Sequence, residues 1–118
     1  MKKNIILLLL VGTYSFCFSQ TKIDKYCQVL MRPINNRFSE KEIARITFGK
    51  NETFFAFKDS SIIFDLLKVN SLTTSTDVLN YMSNLGWKLV SIVPFGPALN
   101  ERIYFKKEFD SSQLIENR

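Results

Sequence analysis

The residues able to do chemistry are few, and the first fact about them is an absence: the chain has no histidine. Without an imidazole, neither a Ser-His-Asp nor a Cys-His nucleophile can be assembled. Metalloprotease sites and most zinc sites also lose their usual ligands. The two cysteines, Cys17 and Cys27, are too far apart for a Cys-x-x-Cys redox or metal pair. The four glycines fall at no phosphate-loop spacing, and the aspartates follow no calcium-loop spacing. Neither a cofactor nor a metal is expected.

Paired carboxylates are the chemistry that remains. Glycoside hydrolysis needs two of them about 5–10 Å apart. Glu40 and Glu42 are near neighbours, and Asp59 and Asp65 flank one apolar segment. Solvated surface charge is the simpler reading of each pair, because Asp and Glu are mostly exposed. Cys27 is the other candidate nucleophile. It sits inside an apolar strand pattern, however, and free cysteine is among the most buried residue types.

Apolar side chains in turn-like surroundings suggest a different function. Residues 94–101, Pro-Phe-Gly-Pro-Ala-Leu-Asn-Glu, set Phe95 and Leu99 among turn formers. Phe54, Phe55 and Phe57 crowd one strand-like stretch, with more aromatic surface than a single sheet face hides. Exposed apolar patches mark partner sites. Phe54, Phe55, Phe95 and Leu99 are therefore the candidate interaction surface. A second copy of the chain is one cover for it, and an envelope or extracellular protein is another.

The amino terminus has the order that the secretion machinery reads. Lys2 and Lys3 are followed by an apolar stretch from position 5 to 18, and Cys17-Phe18-Ser19 supplies small residues at −3 and −1 of a cut before Gln20. Fourteen residues are short of the roughly 20 that a membrane span needs. Phe16 stands where acylation of Cys17 would want a small residue. The expected organisation is a signal peptide at 1–19, one domain at 20–109 and a flexible polar tail at 110–118. The exported protein is expected in the periplasm or outside the cell, with no stable membrane insertion after cleavage. Losing Lys2 and Lys3 leaves 14 basic against 11 acidic residues, a net charge of +3. The basic residues are spread along the chain, so nucleic acid is not an expected partner. One cysteine remains, and no internal disulfide can form.

The elements that must position these residues follow from periodicity. Residues 26–32 alternate as a strand, apolar on both faces and so an inner one, and Pro33 ends it. Residues 43–48 and 53–57 make two further strands about a Gly49-Lys50-Asn51 turn. Residues 59–69 fit either a short amphipathic helix or a strand, with a strand or irregular connector preferred. The clearest element is a helix. Thr74, Ser75 and Thr76 can cap its start, Asp77 suits its dipole, and Val78, Leu79, Met82 and Leu85 form one stripe. Gly86 is placed to close a Schellman cap with Trp87 after it. Residues 88–93 and 102–109 complete the strands. The expectation is an α+β fold, a mainly antiparallel sheet of four to five strands with one main helix on one face, in the order β-β-β-α-β-β.

The segment Asp77-Val-Leu-Asn-Tyr-Met-Ser-Asn-Leu-Gly-Trp-Lys-Leu-Val90 resembles a group of small bacterial domains of unknown function that share "ALNxxxxxGWxLV" before a terminal hairpin. It is also similar to exported Gram-negative proteins in which "DALNYMxxxGW" precedes the last two strands. The resemblance implies a small sheet-and-helix fold, and it implies no activity, cofactor or site residue. The functional expectation is a non-enzymatic exported binding or interaction module. The alternatives are a small hydrolase or transferase using carboxylates or Cys27, and a small-ligand carrier using the sheet's concave face.

Overall fold

A computed structural model describes residues 21–34, 41–96 and 99–115. The expected leader, Glu40, and the far end of the expected tail lie outside them. Four strands, β1 (Lys22–Pro33), β2 (Glu42–Thr47), β3 (Lys88–Phe95) and β4 (Asn100–Asp110), form one antiparallel sheet in the order β2-β1-β4-β3. Successive side chains in a strand point to opposite faces. β1 accordingly buries Cys27, Val29 and Met31, and β4 buries Ile103, Phe105 and Phe109 on the same side. The register sets Cys27 opposite Phe105 and Val29 opposite both Ile103 and Ile46. β1 is an inner strand, as its two-faced apolar pattern implies.

One face of the sheet is covered by the connection from β2 to β3. It holds α1 (Ser61–Leu67), a 3₁₀ turn at Lys68–Ser71, and α2 (Ser75–Asn84). Leu66, Val69, Val78 and Met82 pack from this layer onto the strand residues. The caps of α2 are those expected. The Thr74 hydroxyl accepts from Asp77 N–H at 3.2 Å. At the other end Gly86 takes φ +88°, Trp87 N–H donates to Met82 C=O, and Gly86 N–H donates to Ser83 C=O. That pair of bonds is the Schellman closure, and it delivers the Trp87 ring to the core.

Three expectations are corrected. Residues 53–57 are not a strand: Asn51 Oδ1 accepts from Thr53 N–H at 3.1 Å and winds Glu52–Phe55 into a 3₁₀ turn. Phe57 keeps a single bridge to Leu114. The sheet therefore has four strands, and the count of five does not hold. Residues 61–67 are helical, because Asp59 Oδ1 accepts from Ser61 N–H at 2.9 Å and starts the turn. The order is β-β-α-α-β-β. The chain after β4 also stays with the fold for some residues: Ser111–Gln113 form a 3₁₀ turn and Leu114 is buried.

The two sheet edges differ. Along β2, Glu42 N–H donates to Thr73 C=O at 2.7 Å and Ile46 N–H donates to Asn70 Oδ1 at 2.8 Å, so the connector covers that edge. β3 has a bulge between Leu89 and Ser91 and pairs only with β4 among the described residues. No helix among the described residues is long and apolar enough to cross a membrane.

Candidate functional site

The expected interaction residues do not form one patch. Phe55 is buried, stacked on Phe48 at 4.6 Å and edge-on to Phe57 at 4.8 Å. Phe57 and Trp87 continue this aromatic cluster to Phe109. The 3₁₀ turn that buries Phe55 turns Phe54 outward, to 66 % exposure, beside Lys25, Tyr26 and Phe48. Phe95, the last residue of β3, and Leu99, in the β3–β4 turn, lie at the far end of the same sheet. Leu99 is 84 % exposed. Phe95 is half-buried, with the Arg102 guanidinium 4.4 Å above its ring.

The carboxylates have structural work. Glu42 Oε2 accepts from Ser75 N–H at 3.1 Å, satisfying a first-turn donor of α2. The hydrogen bonds from Ser61 hold the Asp59 carboxyl below its ordinary range. Asp65 pairs with Lys68 across one helical turn, while its backbone carbonyl accepts from Tyr81 Oη. Cys27 is sealed in the core, and burial pushes its thiol up to about 12. A thiol that far above neutrality is almost wholly protonated, and the thiolate is the nucleophile. Among the described residues no group of three metal-ligating side chains comes together.

What the linear sequence concealed is the face of the sheet that the described residues leave uncovered. Cross-strand partners share a face, so the register can be read as rows. Thr47, Gln28, Tyr104 and Ser91 form one row across all four strands, uncharged and rich in hydrogen-bonding groups. On one side runs Arg45, Leu30, Arg102 and Val93; on the other run Tyr26, Lys106 and Lys88. Neighbouring rows on a face are two residues apart, about 7 Å. Arg32 extends the basic end, where a hollow of about 200 Å³ opens between Leu30, Arg32, Ile43 and Arg45. Lys22–Asp110 and Lys68–Asp65 are ion pairs, and none of these five cations forms one among the described residues. The acidic residues of this face, Asp24, Glu108 and Asp110, begin one row beyond Lys106, and Asp24 and Glu108 line a hollow together with Lys88 and Lys106.

The same reading exposes β3. Leu89, Val90, Ile92 and Val93 are each 43–49 % exposed, on a strand with apolar residues on both faces. No family model, no curated protein and no solved structure matches the chain.

Proposed function

We propose that the chain is a non-enzymatic, exported interaction module that pairs with a second copy of itself through β3. One observation carries the reading: the β2 edge is covered by Asn70 and Thr73, whereas the β3 edge is apolar and bare among the described residues. An uncovered apolar edge is a template for association. The charge layout favours a second copy as its cover. β3 has one charge, Lys88, at its first position. Two antiparallel copies place their lysines at opposite ends and set their apolar middles together, in the self-complementary manner of a two-fold interface. The bulge at Val90 and the missing N–H of Pro94 confine backbone pairing to the short stretch between them, so side chains supply most of the contact. Export rests on the leader. The structural roles of Glu42, Asp59, Asp65 and Cys27 weigh against the hydrolase or transferase reading. The helices filling one sheet face weigh against a carrier cavity there.

Size-exclusion chromatography with light scattering tests this on the exported chain across a concentration series. The expected result is a dimer that Val90→Lys and Ile92→Lys each convert to monomer. A wild-type monomer at every concentration overturns the self-pairing, as do variants that stay dimeric. An adduct with a different envelope protein, from a photo-crosslinker at Val90, would assign the edge to that protein instead.

A further inference from the structure

We propose that the uncovered sheet face is a binding site for an acidic polysaccharide, a polymer of uronate or sulfated sugars. The proposal relies on the exported-module reading for its compartment only, and it stands whether or not two copies pair at β3. Two features of the face must be matched by its ligand. The first is charge: Arg45 and Arg102 on one side of the polar row have no carboxylate partner among the described residues, whereas Lys106 and Lys88 on the other share a hollow with Asp24 and Glu108. The two unpartnered arginines make that side of the face attractive to an anionic ligand. Arg45 and Arg102 are two strands apart, about 10 Å, and Arg102 and Lys106 are about 13 Å apart along β4. That spacing fits charges carried at intervals on a chain better than one compact anion.

The second feature separates a sugar polymer from other polyanions. Between the basic rows lie a hydroxyl of Thr47, the amide of Gln28, the phenol of Tyr104 and the hydroxyl of Ser91. None of the four side chains has a hydrogen-bond partner within the described fold. A strip of donors and acceptors bordered by arginines matches a ligand dense in hydroxyls and bearing acidic groups.

The test is calorimetric titration of the exported chain with polygalacturonate, dextran and oligothymidylate in parallel, with amide chemical-shift mapping. Polygalacturonate is expected to bind with salt-sensitive affinity and to shift Gln28, Tyr104 and Ser91. The Arg45→Gln, Arg102→Gln double variant is expected to weaken it about tenfold or more, the scale of lost charge-assisted contacts. Gln28→Ala should weaken binding without altering the net charge. Lys68→Gln, on the helix side, should leave it unchanged. No binding of polygalacturonate, equal binding of dextran, tighter binding of oligothymidylate, or an equal loss in Lys68→Gln would each overturn the proposal. Because β3 pairing is read by light scattering, a failure here is distinct from a failure of the dimer.

Discussion

At the scale of single residues, Gly86 and Cys27 make opposite demands on their surroundings. Gly86 is held at φ +88°, which L-residues disfavour, and a Cβ there would stand 3.3 Å from Lys107 Cε. The lysine end is flexible and can yield; the backbone cannot. Gly86→Ala should therefore lose about 1–2 kcal/mol, the penalty of a left-handed L-residue, read as a lower urea midpoint with unchanged slope. Lys107 joins the same closure, donating to Leu85 C=O at 2.7 Å at the negative end of α2. Cys27 needs only concealment. Its thiol is raised by burial from 9.0 to about 12, so folded and unfolded chains bind the same proton below about pH 9. Between there and about pH 12 the unfolded state alone ionises, and stability falls as pH rises. Native protein at pH 8 should resist iodoacetamide that labels the denatured chain at once. Equal labelling of both states would reopen Cys27 as a nucleophile. Gly86 and Trp87 were legible because a cap is written within a few consecutive residues. Phe55 was not, because Asn51 decides its direction by starting a turn where alternation alone suggests a strand.

Among the elements, the two edge strands show how a short sheet is protected on one side and left open on the other. β2 has six residues and borrows its cover from the connector, in which Asn70 Oδ1 accepts from Ile46 N–H. Removing the amide leaves that partly buried donor unmatched. Asn70→Ala should then lower stability by about 1 kcal/mol, which for a domain of this size is a fall in Tm of about 4–8 °C. Asn70→Asp keeps an acceptor oxygen and should restore most of the loss. If Asn70→Asp were as damaging as Asn70→Ala, the amide's packing would matter more than its bond. The helix α2 was readable from its stripe and its glycine cap, with Thr74 one of three residues able to cap its start. The segment at 61–67 was not, since seven residues with Ile62, Ile63, Leu66 and Leu67 satisfy both periods. The Asp59 cap tips the balance locally, and burial of Leu66 against the sheet completes it.

For the whole molecule, the decisive quantity is register, which relates residues tens of positions apart. Thr47, Gln28, Tyr104 and Ser91 look unrelated in the chain and become one row only when β2, β1, β4 and β3 are paired. Local pattern supplied the class of fold and the inward residues of β1 and β4, while the open face and its cations emerged from pairing that no local window contains. Register also separates stability from interaction. Ile92 and Ile103 are the same residue type set directly opposite each other in β3 and β4, yet Ile92 is 43 % exposed and Ile103 is fully buried. Truncating Ile103 to alanine removes methylenes from the filled core and should lose about 2–5 kcal/mol. Truncating Ile92 sheds side-chain atoms that already meet water, and should lose less than about 1 kcal/mol in the isolated monomer. Denaturant unfolding at low concentration, where copies are apart, measures both. As concentration rises, the proposed β3 pairing predicts that wild type gains stability and Ile92→Ala gains much less, because pairing would bury that side chain. A concentration-independent midpoint for wild type, or equal losses from the two truncations when dilute, would mean that β3 is not the open edge on which this molecule associates.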